Sequence, residues 1–233
     1  NNKGTEDNRV RRMDYSIQIS KLFYERFMNE EEITLISPHM APGLYEAFGT
    51  EDFDDLYLKY EADKTIPKKT VPAQDLFFDL LKERAETGRI YIMNLDHCNS
   101  HSSFKDKVSM SNLCQEITLP TTPIQHIDDA EGEIALCILS AVNVGALNDL
   151  GELENICDLS VRALEQIIDY QDYPVRAAEV STKKRRSLGI GYIGLAHYLA
   201  KNGVKYSDPE AWALVDRLTE AFQYYLLRSS CDI

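Results

Sequence analysis

Apolar residues recur three and four positions apart in several stretches of the chain, which is the spacing of one face of an α-helix. The pattern predicts helices over residues 13–29, 52–63, 72–88, 151–170, 192–201 and from 208 onward. Two of these helices also carry end signals. Pro72 suits a first helical turn and Gly88 the position after a last turn, while Asp208 and Pro209 suit a cap and a first turn.

Short β-rich runs separate these helices. Residues 89–94 are predicted to be a strand, and the mostly apolar run 133–142 fits a strand buried on both faces. Residues 111–119 are predicted to be extended and to end before Pro120. A long, weakly periodic loop covers residues 96–111, and loops of this length are more often functional than decorative. Strands that alternate with helices and long loops predict an α/β fold.

Composition and charge narrow the class of protein. The 233 residues are 44% hydrophobic and 27% charged, which is ordinary for a globular protein. A net charge of −13 weighs against non-specific binding to a phosphate backbone. The basic run 183–186 is explained by a helix end or by a solvated loop. No stretch approaches the roughly 18 apolar residues that span a bilayer, so we expect neither nucleic-acid binding nor a membrane span.

Five cysteines occur, at positions 98, 114, 137, 157 and 231. An odd number without a Cys-x-x-Cys pair argues against a disulfide framework and against a zinc ribbon. A reducing, cytoplasmic location fits this usage best. Cys157 and Cys231 lie in predicted helices and are expected to be structural.

One stretch carries chemically useful side chains at alternate positions, namely Asn112, Cys114 and Glu116. In an extended segment these side chains point to the same face of the backbone. They would place together a hydrogen-bonding carboxamide, a nucleophilic or one-electron sulfur and a proton acceptor. Burying such groups unpaired is costly, so we expect this face to meet a polar ligand or a solvent-filled pocket.

Each of these residues also has an ordinary structural interpretation. A single cysteine in a strand is usually a small buried hydrophobe, and this applies to Cys114 and to Cys137. A functional Cys137 needs a second thiol, because two thiols supply two electrons when they form a disulfide. Taken alone, Glu116 is typical of a surface carboxylate and Asn112 of a turn.

Two histidines before this stretch indicate a different chemistry. His97, Cys98 and His101 have a spacing that permits a metal site, but a second ligand pair is missing from the sequence. Hydrogen bonding is therefore the preferred role, and no metal site is predicted. Either histidine could instead serve as the base for Cys114, which would make the protein a cysteine-dependent hydrolase or transferase.

Residues 189–194 have the spacing Gly-x-Gly-x-x-Gly, which is typical of a dinucleotide-binding loop. The sequence context does not fit that loop, because a strong preceding β-run and a suitable acidic residue about 20 positions later are missing. We interpret the glycines as small residues that allow a strand and a helix to pack closely.

Several motifs along the chain form an ordered set. They are residues 8–15, 88–92, 96–99, 111–116, 133–137, 186–191 and 223–227. Together they resemble the large (catalytic, alpha) subunit of class I ribonucleotide reductase from end to end of the chain. The Asn-x-Cys-x-Glu segment with a downstream cysteine is the specific part of this resemblance, and the other motifs corroborate it.

The resemblance implies part of a ten-stranded α/β barrel, flanked by helices, with a central finger loop that carries the active cysteine. Cys114 would hold the thiyl radical and take the 3′ hydrogen of a ribonucleotide. Glu116 would take the 3′-hydroxyl proton, and Asn112 would hydrogen-bond the substrate. Cys137 would be one of two thiols that reduce the 2′ carbon. The activity would be that of a ribonucleoside-diphosphate reductase, which makes deoxyribonucleotides.

The resemblance also implies an incomplete chain, since members of the family are several times longer. Residues 1–233 would form a single incomplete domain that is mainly helical over 1–88, contains strands and the finger loop over 89–145, and is helical with one strand over 146–233. The chain would be the central fragment of a split or longer subunit and would work only with complementary fragments. A non-catalytic assembly module is the remaining alternative.

Partners and small molecules follow from the same resemblance. A small subunit with a metal/tyrosyl cofactor would generate the radical, so this chain itself would bind no cofactor. The large subunit would be dimeric, would be reduced by a dithiol of the thioredoxin or glutaredoxin type, and would be regulated by dNTP and ATP effectors. Lys3, Gly4 and Thr5 would belong to the loop that senses the effector.

Overall fold

Helices and short strands are mixed throughout the part of the chain that the structure describes. The computed structural model describes residues 13–233 together with Thr5 and Asp7. Contacts divide the chain into two units, residues 1–121 and residues 122–233. The mixture of elements confirms the α/β class.

The first unit alternates strands and helices. Its elements are β1 (Tyr15–Ile19), α1 (Lys21–Met28), β2 (Glu32–Ile36), a 3-10 turn (Pro38–Met40), α2 (Leu44–Ala47), α3 (Phe53–Ala62), β3 (Lys68–Pro72), α4 (Ala73–Thr87), β4 (Ile90–Asn94) and α5 (Leu95–Ser100). Strands β1 and β4 pair in parallel, with Tyr15 opposite Ile90. Strands β2 and β3 pair antiparallel, with Glu32 opposite Pro72.

The core of the first unit lies between β2 and α3. Phe53 and Tyr57 of α3 pack with Ile33 of β2 and with Leu44 of α2. The Tyr57 hydroxyl donates to the Thr34 carbonyl oxygen and accepts from the Thr34 amide, both at 2.8 Å. The Tyr57 hydroxyl thus joins strand β2 to helix α3. It pairs the amide and the carbonyl of Thr34, which would be costly to bury without partners.

The second unit is built on a parallel pair of strands. Its elements are β5 (Leu139–Asn143), a 3-10 turn (Val144–Ala146), α6 (Glu152–Tyr170), α7 (Arg176–Arg185), β6 (Gly189–Ile193), α8 (Leu195–Lys201) and α9 (Pro209–Cys231). Strands β5 and β6 pair with Leu139 opposite Gly189. The core packs β5 and its 3-10 turn against α6 and α9, through the buried residues Val142, Val144, Leu153, Leu218 and Phe222.

Four predicted helices are confirmed by these elements. Residues 52–63, 72–88, 151–170 and those from 208 onward correspond to α3, α4, α6 and α9. Gly88 adopts φ +67° directly after α4, which is the left-handed conformation that glycine takes at a helix end. Pro72 is the last residue of β3 and immediately precedes α4.

The helix predicted over residues 13–29 is wrong at its start. Residues 15–19 form β1, and α1 begins only at Lys21, after Ser20, whose hydroxyl accepts from the Phe23 amide at 3.3 Å. Strand β1 exists because it pairs with β4, a partner far along the chain that leaves no mark on local periodicity. In the same way the helix predicted over residues 192–201 begins at Leu195, since residues 189–193 pair as β6.

The strand predicted over residues 133–142 is confirmed only at its end. Strand β5 covers Leu139–Asn143, and residues 133–138 form no strand. The Ile134 amide donates instead to the Ala177 carbonyl oxygen in α7, at 3.1 Å. At Ile134 the backbone therefore bonds a helix and not a neighbouring strand.

Candidate active site

Residues 111–116 form a turn, so the prediction of an extended segment is wrong. The Gln115 amide donates to the Asn112 carbonyl oxygen at 3.2 Å, and Gln115 has φ +66°. The Asn112 side chain closes the turn, because its Oδ1 accepts from the Ile117 amide at 3.1 Å. A short polar side chain that bonds nearby backbone offers an alternative to a strand ladder. Asn112, Cys114 and Glu116 therefore lie along a turn and not on one face of a strand.

The reactive side chains of this turn face solvent. Cys114 and Glu116 are exposed, and Asn112 is half-buried. The interpretation of Cys114 as a small buried hydrophobe is therefore wrong. An exposed thiol two residues from an exposed carboxylate can meet a ligand directly, as the sequence predicts for this stretch.

Strand β1 holds the segment that carries the turn. Gln18 Nε2 donates to the Ser109 carbonyl oxygen at 2.6 Å. Two positions earlier on the strand, Ser16 Oγ accepts from Gln115 Nε2. Residues two apart on a strand point to the same face. Two side chains on one face of β1 therefore bind the segment that carries the turn.

The preceding loop is also tied to α5. The Asn99 side chain accepts from the Val108 amide at 2.8 Å and donates to the Val108 carbonyl oxygen at 3.0 Å. Val108 is fully buried against Met93 and Leu95. The loop between α5 and the turn is thus anchored on both β1 and α5.

The two histidines lie near the end of α5, with His97 in the helix and His101 directly after it. The rings of His97 and His101 are 6.1 Å apart, and His101 Nδ1 lies 3.1 Å from the His97 carbonyl oxygen and 2.9 Å from Ser100 Oγ. Within the described residues no hydrogen bond joins either imidazole to Cys114. These two histidines therefore lack the hydrogen bond to the thiol that the base of a cysteine hydrolase would make.

Cys137 belongs to the second unit and is also exposed. It precedes the buried Ile138 and strand β5, so a packing role for its side chain is wrong. Four residues before it, the Glu133 side chain is completely buried. Arg185 contacts both Glu133 oxygens, at 3.1 and 2.8 Å, and the Thr122 hydroxyl donates to Oε2 at 2.9 Å.

The buried Glu133 carboxylate stays ionised because of these donors. Burial by itself raises the pKa of Glu133, but hydrogen bonds from Arg185, Thr122 and Lys184 outweigh burial and hold the pKa at about 2. Lys184 Nζ lies 3.1 Å from Oε1. The charge cluster fixes the start of the segment that leads to Cys137.

The sequence drew attention to the basic residues of this cluster but not to the buried carboxylate that they pair with. The basic run 183–186 does end a helix, α7, as one of its two interpretations predicts. The Arg185 side chain is only 11% exposed, however, and Arg186 binds Glu165 and Asp169 of α6. The single signal for Glu133 was an acidic residue at the head of an apolar run.

The remaining three cysteines differ in burial, and therefore in how well a structural role fits them. Cys157 is completely buried in the core of the second unit, and burial raises its pKa to about 11. Burial also raises the pKa of Cys98, which is half-buried beside Met93 and Leu95. A raised pKa keeps a thiol protonated and unreactive, whereas Cys231 is exposed at the end of α9.

The glycine motif packs closely at two of its three positions. A Cβ atom on Gly189 would lie 2.5 Å from Leu139 Cδ2. A Cβ atom on Gly194 would lie 3.1 Å from the Gly145 amide nitrogen and would overlap Asn143 Oδ1. The glycines do pack closely, but against β5 and the 3-10 turn after it, whereas the sequence predicted packing between a strand and a helix. The first two glycines lie in strand β6 and not in a loop.

The other predicted features are placed as follows. Lys3 and Gly4 lie outside the described residues, and Thr5 is exposed. Across the described residues no group of three or more His, Cys, Asp or Glu side chains is arranged to hold a metal ion. No helix in that same part of the chain combines the length and the apolar character needed to cross a membrane.

Comparisons with known proteins identify the family. The whole chain, residues 1–233, matches the family model described as ribonucleotide reductase, barrel domain. The ribonucleoside-diphosphate reductase subunit alpha of Haemophilus influenzae is 58% identical over all of this chain. The corresponding subunits of Escherichia coli and Enterobacteria phage T4 are 53% and 41% identical, again over all of this chain. The chain spans about a third of the length of these relatives. The chain belongs to the ribonucleotide reductase barrel-domain family.

Proposed function

We propose that this chain forms the central part of the catalytic barrel in the alpha subunit of a class I ribonucleoside-diphosphate reductase. One observation carries the proposal: Cys114 and Glu116 are both exposed on one turn, in a chain that matches the barrel family over its full length. The relatives that bear this enzyme's name are about three times longer. The activity is therefore that of the assembled enzyme, in which the barrel has ten strands and the Cys114 segment is the finger loop.

Cys114 would start the reaction as a thiyl radical. Its sulfur takes the 3′ hydrogen atom of the ribonucleotide, so an S–H bond forms and the unpaired electron moves to the 3′ carbon. Glu116 accepts the proton of the 3′ hydroxyl, as an exposed carboxylate two residues from the thiol can do. Asn112 Oδ1 is already used within the turn, so its Nδ2 donates to the substrate.

Two thiols would then reduce the 2′ carbon. The 2′ hydroxyl leaves as water with one thiol proton, and the 2′ carbon gains a hydrogen while the two sulfurs form a disulfide. Cys137 is one of these thiols, and the second lies in another part of the alpha subunit. The Cys114 S–H returns its hydrogen to the 3′ carbon, which restores the thiyl radical, and Glu116 returns its proton.

The partners follow from this chemistry. A small subunit supplies the radical, and a dithiol of the thioredoxin or glutaredoxin type reduces the disulfide after each turnover. The alpha subunit is a dimer that responds to dNTP and ATP effectors, with Lys3, Gly4 and Thr5 in the effector loop. A closed barrel would exclude water and so protect the substrate radical from side reactions.

Cys114→Ser in the assembled reductase tests the proposal. A serine hydroxyl replaces the thiol with little change in side-chain shape but does not carry the sulfur radical. We expect nucleotide reduction to fall about a thousandfold or more, equal to roughly 4 kcal/mol of activation free energy. Cys231→Ser, at an exposed cysteine of α9 outside the turn, is the matched control and should leave the rate unchanged.

The alternatives make different predictions in the same assay. A Cys114→Ser enzyme that reduces nucleotides at the wild-type rate would leave only a non-catalytic assembly role for this chain. A cysteine hydrolase would instead show rapid alkylation of Cys114 at pH 6, because its thiol would be ionised there.

A further inference from the structure

Gln115, between the two reactive residues, has an unusual backbone conformation. Its φ of +66° is in the left-handed region, which residues with a Cβ atom seldom adopt. The conformation turns the chain between Cys114 and Glu116. A residue persists there only when its surroundings hold it.

The surroundings that hold Gln115 are found on β1. Its side chain donates to Ser16 Oγ, across 99 positions of sequence. Ser16 is part of the parallel β1–β4 pair, opposite Tyr91, so the acceptor belongs to a regular element. Gln18, on the same face of β1, holds the segment again at Ser109. Hydrogen bonds to a strand therefore hold the turn, in addition to the bonds within the turn itself.

Radical transfer and proton removal require both groups at the same sugar. Hydrogen abstraction by Cys114 and proton acceptance by Glu116 act on neighbouring atoms of one substrate. A displacement of about 1 Å in such a geometry can cost about a hundredfold in rate. The residue between them therefore controls how the two groups are spaced.

We propose that Gln115 is a positioning residue for the Cys114 reaction, and that its hydrogen bond to Ser16 fixes the turn in the geometry that lets one nucleotide meet Cys114 and Glu116 together. This inference rests on the proposed reductase function. Gln115 itself takes no part in bond making or breaking.

Paired substitutions test the hydrogen bond in the assembled reductase. Ser16→Ala removes the acceptor, and Gln115→Gly removes the donor while keeping a residue that adopts positive φ without strain. We expect each to lower kcat about ten- to a hundredfold with KM for the nucleotide unchanged. The double variant should be no worse than the worse single variant, because both remove the same bond.

Matched controls separate positioning from general damage. Ser16→Thr keeps the hydroxyl and should retain most of the activity. Glu30 is an exposed residue with φ +59°, so Glu30→Gly repeats the change to glycine at a left-handed position away from the turn, and it should leave kcat unchanged. Thr50→Ala removes an exposed hydroxyl bond elsewhere in the first unit and should likewise have no effect.

A second measurement reports on the turn without relying on activity. Backbone amide exchange over residues 111–117, followed by mass spectrometry, should speed up in Ser16→Ala and Gln115→Gly but not over residues 90–94. Wild-type kcat in Ser16→Ala, or losses that add in the double variant, would overturn the inference. If the wild-type assembly reduces no nucleotide, the proposed function fails, and unchanged exchange in Ser16→Ala would separately refute the hydrogen bond.

Discussion

At the residue scale, the cysteines differ in how far their thiols are exposed to solvent. Cys114 and Cys137 are exposed on irregular backbone, whereas Cys157 is buried in α6 with a pKa raised to about 11. A protonated, enclosed thiol is inert, and an exposed one can exchange with a reductant. The two thiols proposed for chemistry, like Cys231 at the end of α9, are open to a substrate or a dithiol.

Cys137→Ser should separate substrate reduction from substrate binding. A serine cannot form a disulfide, so turnover with a dithiol reductant should be abolished while the nucleotide Kd stays within about twofold. Steady-state assays and equilibrium binding on the same assembled enzyme measure both quantities. Loss of nucleotide binding in this variant would point to structural damage and away from a redox role.

Glu133 carries a buried charge that contributes to the stability of the second unit. Glu133→Gln removes the charge of a completely buried carboxylate that pairs with Arg185 and Lys184, so we expect the free energy of unfolding to fall by about 3 kcal/mol at pH 7. The control is Glu131→Gln, an exposed acidic residue two positions earlier, which should change it by less than about 0.5 kcal/mol. Urea unfolding monitored by circular dichroism measures both.

The same carboxylate makes stability depend on pH. The pKa of Glu133 is held at about 2, below its ordinary value of 4.5, so its contribution is present above about pH 4.5 and is lost as pH falls toward 2. The stability difference between wild type and Glu133→Gln should narrow across that window. A difference that stays constant from about pH 5 to pH 2 would contradict the lowered pKa.

At the element scale, β6 and the 3-10 turn after β5 meet at a distance that only glycine permits. Gly194 has φ +80° and faces Gly145, whose amide nitrogen would lie 3.1 Å from an added Cβ atom. Strand β6, α8 and the turn Val144–Ala146 converge at this point. The glycine motif is therefore a packing device between elements.

Gly194→Ala and Gly203→Ala form a matched pair that isolates this packing. Both positions have positive φ, +80° and +70°, but an added Cβ on Gly203 meets nothing within 4 Å. Gly203→Ala should lower the free energy of unfolding by about 1 kcal/mol, the cost of the left-handed conformation alone. Gly194→Ala should cost roughly 1 kcal/mol more, because its Cβ also crowds backbone. Equal losses in urea unfolding would show that close approach is unimportant.

At the scale of the whole molecule, the chain divides near residue 121 into two units. The stretch after the boundary is irregular and exposed over residues 122–128, and Ile127 has 64% of its surface exposed. Exposed irregular backbone of this kind is where proteases first cut a folded protein.

Limited proteolysis should therefore cut first between the units. Thermolysin, which cleaves before large apolar residues, is expected to cut the chain before Ile124 or before Ile127. The fragments would have about 123 and 110 residues, or about 126 and 107 residues. Ile127→Asp should slow the cut at that bond. First cleavage within α6 or α9, read by mass spectrometry, would contradict this division.

Much of this protein could be predicted from its sequence, because burial of one helix face leaves a local pattern. The apolar stripes of α3, α4, α6 and α9, the end signal at Gly88 and the motifs of the reductase family are all local features. So was the choice of Asn112, Cys114, Glu116 and Cys137 as the residues of interest. Their identities need no knowledge of what packs against what.

Other features were decided only by contacts between distant residues. Residues 15–19 are a strand because β4 lies beside them, and the turn that carries Cys114 is tied to β1 because Gln115 reaches Ser16, 99 positions away. Glu133 is buried because Arg185, 52 positions later, satisfies its charge. Pairing across such separations is set by three-dimensional packing and hydrogen bonding, which local periodicity does not record.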